Sequence, residues 1–170
     1  GLAARSPPRQ EATPPQGRMK QGVTFDTGVL IALERRRQRA LQIHERLGER
    51  GVTINVPWAV VAEWWRGRSD LRETILRSVD VEIPTVGLAR LAGEALAKVR
   101  GASTVDAVVM ASAALRGDVV YTTDVSDLEA LRAHFSSVRV LGVCSPAAGT
   151  ETAHSGWASF AMSASPSSAA

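Results

Sequence analysis

Between residues 20 and 143, short β-branched runs alternate with longer stretches in which apolar residues return every three or four positions. Val23-Thr24-Phe25 predicts a strand that ends at Asp26. Residues 29–33 and the arginine-rich stretch up to Leu47 predict helix, with a break near Arg35. Gly48 and Gly51 bracket a turn into a second strand over 52–56. Pro57 suits a first helical position, where a missing N–H costs nothing, and the helix it opens runs through Trp58, Val61, Glu63 and Trp65 to Gly67. Asp70 and Glu73 have capping-box spacing for another helix, and 81–83 reads as a third strand. Thr85 can cap a helix whose apolar face is Leu88, Leu91, Ala92, Ala95, Leu96 and Val99, ended by Gly101. Ser103 and Asp106 repeat the capping-box spacing before the apolar run 108–115, which stops near Gly117. A fourth strand over 119–121, a short helix over 128–134 and a fifth strand over 138–141 complete the pattern. Strands separated by helices predict a three-layer α/β fold with a mostly parallel sheet. In such a sheet the functional crevice lies beyond the carboxyl ends of the strands.

The two ends of the chain are different. Residues 1–18 are rich in Pro, Gly and charge without periodicity, and predict disorder or sequence ahead of a natural start at Met19. Residues 145–170 are dominated by Ser and Ala and predict a flexible tail. One domain of roughly 20–143 remains, which fits a chain of 170 residues. Aromatics make up only 5%, so the core is expected from Val, Leu, Ile and Ala. No apolar run is long enough to span a membrane. The single Cys144 excludes an internal disulfide framework and, read as a small hydrophobe, fits a reducing, cytoplasmic setting. The net charge of +3 comes almost entirely from arginine, the only lysines being Lys20 and Lys98. A basic balance gains meaning only where arginines surround a focus of acids.

Four acids form such a focus. Asp26 and Asp124 each follow a predicted strand, at the end that faces the crevice; each equally suits the N-cap of the next helix. Glu63 interrupts an otherwise apolar helix and needs a partner, either a metal or an ion pair with Arg66. Asp106 opens a small-residue helix and would satisfy the capping box alone. Carboxylates held close repel unless a hard cation neutralises them, and Mg²⁺ or Mn²⁺ prefers oxygen donors shared with substrate phosphates. Zinc chemistry has little to draw on, with one cysteine and the scattered His44, His134 and His154; His44 reads as a surface helix residue.

The segments carrying these acids resemble the motifs of PIN domains, in particular the VapC-type toxin ribonucleases. Val23-Thr24-Phe25-Asp26-Thr27-Gly28-Val29-Leu30-Ile31-Ala32-Leu33 is similar to the family's opening. Val60-Val61-Ala62-Glu63 followed by Arg66-Gly67, then Val105-Asp106-Ala107, then Tyr121-Thr122-Thr123-Asp124-Val125-Ser126-Asp127-Leu128 resemble its second, third and fourth motifs, in order. The resemblance covers about 20–143. It implies a five-stranded parallel sheet in the order 3-2-1-4-5, with Asp26, Glu63, Asp106 and Asp124 as the metal-binding and catalytic acids. Asp127, Thr122 and Thr27 become supporting residues, and Gly28 stands where the family often has serine.

The resemblance further implies hydrolysis of RNA by a metal-activated water, control by a cognate antitoxin protein, and a homodimer. Arg35 and Arg36 after the first motif, with Arg66 and Arg68 after Glu63, are candidates for holding an RNA backbone. A solvated helix face explains the cluster around Arg35, Arg36, Arg37 and Arg39 nearly as well. Trp58, Trp64 and Trp65 are candidates for a partner surface, one of the adjacent pair being expected in the core. A phosphatase with a strand-end aspartate nucleophile would need a second aspartate two positions on, where Gly28 stands. The remaining rival is a non-catalytic PIN-like RNA-binding or interaction module.

Overall fold

The computed structural model describes residues 21–143; the expectations for 1–18, Cys144 and 145–170 lie outside them. The chain runs β1 (Val23–Phe25), α1 (Thr27–Glu34), α2 (Gln38–Glu49), β2 (Ile54–Pro57), α3 (Trp58–Trp64), α4 (Asp70–Arg77), β3 (Asp80–Glu82), α5 (Val86–Lys98), α6 (Thr104–Arg116), β4 (Val119–Thr122), α7 (Val125–Arg132) and β5 (Arg139–Gly142). The strands form one parallel sheet in the order β3-β2-β1-β4-β5, with helices on both faces. β1, β2 and β4 are buried on both faces, as a covered parallel sheet requires, with Thr24, Asn55 and Thr122 as buried polar residues among their hydrophobes.

The register sets the site. Phe25 lies opposite Tyr121 across the β1–β4 ladder, so the chain leaves both central strands at the same level and Asp26 emerges beside Thr122. The Asp26 amide continues the ladder by donating to the Tyr121 carbonyl at 3.2 Å. Helix α6 is the central helix: every residue from Ala107 to Ala113 is buried, and it packs on β1, β2 and β4 as well as on α3, α5 and α7. The alanines of α6 let these neighbours come close. Gly117, at φ 72°, ends α6 in the left-handed conformation that glycine adopts without strain.

Several boundaries differ from the sequence expectation. Pro57 is the last residue of β2 and the N-cap of α3, so its missing N–H falls at the strand end and not at the first helical position. Ser69, not Asp70, caps α4, its hydroxyl accepting from the Arg72 amide at 3.2 Å. β3 begins one residue early, at Asp80; as an edge strand with two of its three residues exposed it has little apolar signal. Helix α7 starts at Val125 instead of 128, because Asp124 is its N-cap. His44 is half-buried, its Nε2 sharing a hydrogen bond with Ser78 Oγ at 2.9 Å, and burial holds its pKa below the usual value.

A carboxylate cluster at the strand ends

Asp26 is held by the backbone it caps: its Oδ1 accepts from the Val29 amide at 2.9 Å at the start of α1. Burial pushes its pKa up to about 6, and the charge of Asp106 adds to the rise against opposing hydrogen bonds from Thr122 and the Val29 amide. Asp106 lies in the first turn of α6, where its amide donates to the Ser103 hydroxyl at 3.0 Å. Burial raises its pKa too, the Ser103 hydroxyl works against the rise, and the charges of Asp127 and Glu63 add to it. Glu63, near the end of α3, is exposed and takes a short hydrogen bond from the Thr27 hydroxyl. The ion pair with Arg66 is not formed; Thr27 is the partner that this carboxylate required, and Arg66 donates to the Trp65 carbonyl at 3.0 Å instead.

Asp124 is oriented differently from the other three acids. It is exposed and caps α7, its Oδ1 accepting from both the amide and the hydroxyl of Ser126, and these bonds hold its pKa below the usual carboxylate value. The loop is fixed by Thr122, whose hydroxyl accepts from the Asp124 amide at 3.0 Å and donates to the Asp124 carbonyl at 3.1 Å. From α7 it is the Asp127 charge that bears on Asp106. Asp26, Asp106, Glu63 and Asp127 thus form a chain of neighbouring negative charges. Among the described residues, however, no three His, Cys, Asp or Glu side chains converge closely enough to grip one ion. The donor set, all carboxylate oxygen, suits a hard divalent cation in kind, and the mutual repulsion of Asp26 and Asp106 is what such a cation would relieve.

Gly28 has a specific cause. A Cβ on it would fall 2.0 Å from Thr123 Oγ1 and 3.4 Å from Asp26 Oδ1. The Thr123 hydroxyl therefore occupies the volume that a side chain at 28 would need, a role that spacing along the chain does not reveal. The arginines divide. Arg68 pairs with Glu73 at 3.4 Å, whereas Arg35 and Arg36 form no ion pair among the described residues. Trp64 is buried, its indole N–H donating to Glu34 Oε2 at 2.9 Å, so it drops out of the expected partner surface. Trp58 is 43% exposed and Trp65 is half-buried.

No protein-family model matches the chain, and no curated protein does. Solved structures do. A chain of a toxin–antitoxin complex from Klebsiella pneumoniae superposes with a TM-score of 0.57 at 18% identity, over 72% of this chain and 98% of that one. A chain of the DNA-bound VapBC crystal structure from Salmonella typhimurium gives 0.55 at 16% identity, over 74% and 100%. The fold is PIN-like. At such identities the likeness is one of architecture, with nearly the whole of each matched chain accounted for by this one. In this arrangement the end of β1 and the opening of α6 lie at one end of the sheet, where the charge of Asp106 adds to the rise in the pKa of Asp26. Among the described residues no helix is long and apolar enough to cross a membrane.

Proposed function

We propose that this protein is a metal-dependent endoribonuclease, the toxin of a toxin–antitoxin pair, with its centre at Asp26, Glu63, Asp106 and Asp124. The observation that carries the reading is the pair Asp26 and Asp106: two carboxylates raised in pKa by burial and by proximity at the strand ends of a PIN-like sheet. Buried like charges are costly to keep unless a ligand uses them. Asp26, Asp106 and Glu63 would hold Mg²⁺ or Mn²⁺, and Asp124 would join by giving up its bond to Ser126. When bound, the ion supplies Lewis-acid activation of water and of the scissile phosphate.

The chain's own contribution is placement. Thr27 orients Glu63, Thr122 fixes the loop that bears Asp124, and Asp127 adds negative potential at Asp106. The α1 cap fixes Asp26 by holding its Oδ1 toward the Val29 amide. The solved structures of similar fold are a toxin–antitoxin complex and a DNA-bound VapBC. They support a protein partner for this chain; exposed Trp58 in the docking surface and a homodimer as the assembled form are further parts of the proposal.

The spread of the carboxylates favours a second reading, a PIN-like RNA-binding or interaction module without turnover. Cleavage separates the two. Partner-free protein is incubated with structured and single-stranded RNAs, in Mg²⁺, Mn²⁺ or EDTA, beside Asp26→Ala and Asp106→Asn. Cleavage that needs the metal and falls to background in both variants is expected. RNA left intact in every condition, with no heat of metal binding by calorimetry, would establish the module instead.

A further inference from the structure

Positive charge gathers beside α1. A cleft of about 580 Å³ lies between α1, the start of α2, Thr123 and the end of β5, and Arg35, Arg37 and Arg39 line it. No carboxylate is among its lining residues. Elsewhere Arg68, Arg72, Arg116 and Arg132 each pair with an acid, but Arg35, Arg37 and Arg39 form no ion pair among the described residues. Three exposed guanidinium groups on one short turn repel one another and gain nothing for the fold.

The backbone of that turn carries a cost as well. Arg36 has φ 53°, a left-handed position at which helices usually place glycine. The turn is otherwise well made, the Arg37 amide donating to the Ala32 carbonyl at 2.8 Å and the Arg36 amide to the Leu33 carbonyl at 2.9 Å. A β-carbon in that conformation is strained, and strain of this kind gathers where a ligand is held. The cleft also adjoins the acids. Gly28 forms part of its wall, and the space over Gly28 is bounded by Thr123 Oγ1 on one side and Asp26 Oδ1 on the other. Ile31, Ala32 and Val143 give the cleft an apolar floor beneath its basic rim.

We propose that this cleft binds a phosphodiester of a single-stranded polynucleotide through Arg37 and Arg39, on the flank of the chain that leads to Asp26. Planar guanidinium groups match phosphate oxygens in pairs, the apolar floor suits a sugar or base, and the size is that of a small-ligand pocket. The inference deepens the nuclease reading and rests on it: a strand held here places a neighbouring phosphate toward the carboxylates. Arg35 guards the same rim; Arg36, whose side chain is not among those lining the cleft, serves the turn.

Binding is measured without cleavage, by fluorescence anisotropy of the full chain with a labelled 2′-O-methyl oligoribonucleotide in EDTA, over a range of salt. Arg37→Gln with Arg39→Gln is compared with Arg132→Gln, whose guanidinium pairs with Glu129 on α7. The double variant should lose affinity about equally for unrelated sequences and for DNA of equal length. Its plot of log affinity against log salt should become shallower by about 0.7 for each phosphate contact removed. Arg132→Gln should match the wild type, and circular dichroism should show all three folded. Unchanged affinity and slope in the double variant would overturn the proposal. So would an Asp/Glu-rich peptide that competes equally well and is lost in the same variant, since the cleft would then be a protein-docking site. Binding lost as expected in a protein that cleaves no RNA with Mg²⁺ would retain the cleft and remove the nuclease reading alone.

Discussion

Two aspartates bracket the central strands, and their surroundings are opposite. Asp118 precedes β4 and is almost fully buried, yet its oxygens accept from the Gly22 amide at 3.1 Å, Thr24 Oγ1 at 3.0 Å, Asn55 Nδ2 at 2.7 Å and Arg116 Nε at 3.3 Å. Arg116 is itself tied by two bonds to Glu82, at 2.6 and 2.9 Å. Asp26, at the other end of β1, has Asp106 as a charged neighbour and is raised in pKa. Asp118 meets four donors, one of them a guanidinium; Asp26 is hydrogen-bonded by the Val29 amide and Thr122 but has a negative charge, not a positive one, beside it. A fold that gives one buried acid a cation and the other an anion leaves the second with charge for a ligand to neutralise, as the nuclease proposal requires.

The comparison can be broken by mutation, and the largest effect is expected at Asp118. Replacing it with Ala leaves the Gly22 amide, Thr24 and Asn55 without their acceptor and takes one of two carboxylates from Arg116, so the free energy of unfolding in urea should fall by about 3–5 kcal/mol. Asp26 should behave in the opposite sense. Its folded pKa is raised from 3.8 to about 6, so the folded state prefers the protonated form. The stability this contributes is fully present below the unfolded value and is lost as pH rises through about 6. Metal-free Asp26→Asn should therefore be more stable than the wild type at pH 7–8, by up to about 3 kcal/mol, and the gap should close on acidification. A wild type as stable as Asp26→Asn throughout that range would remove the charge frustration on which the site argument stands.

The two glycines beside these aspartates sharpen the contrast on a smaller scale. A Cβ on Gly22 would lie 3.0 Å from each of Asn55 Nδ2, Asp118 Oδ1 and the Thr53 carbonyl, inside the closed network. On Gly28 it would meet chiefly the Thr123 hydroxyl. Each substitution to Ala is expected to cost about 1–3 kcal/mol by overpacking. Gly28→Ala should regain part of the loss when Thr123 is also made Gly, and Gly22→Ala has no such single-residue remedy. Thermal melts of the double variant test this.

Much of the architecture was legible because the period of the hydrophobic pattern changes so clearly. The burial of β1 and β4 shows as short runs of β-branched and aromatic residues, and the break near Arg35 appears as the left-handed turn at Arg36. Edge strand β3 was less legible, since exposed residues carry no periodic constraint. Spacing names the four acids but does not give their arrangement. Spacing places Asp124 at a strand end, yet the same position makes it a helix cap, and the competition between those roles is decided by Ser126, a local hydrogen bond that no pattern of apolar residues encodes. Asp118 and Thr123 were missed for another reason. Their importance arises from residues some 95 positions away in the chain, such as Gly22 and Gly28, which meet them only once the sheet is ordered.

That separation also has a consequence in time. β1 pairs with β4, and the Gly22–Asp118 bond joins residues 96 apart. At a synthesis rate of roughly 5–20 residues per second, the innermost strand leaves the ribosome on the order of 5–20 s before its neighbour exists. During that interval the first half of the protein has one flank of its central strand open and lacks the acids of α6 and α7. The carboxylates, drawn from residues as far apart as 26 and 127, therefore cannot come together until α7 has been made.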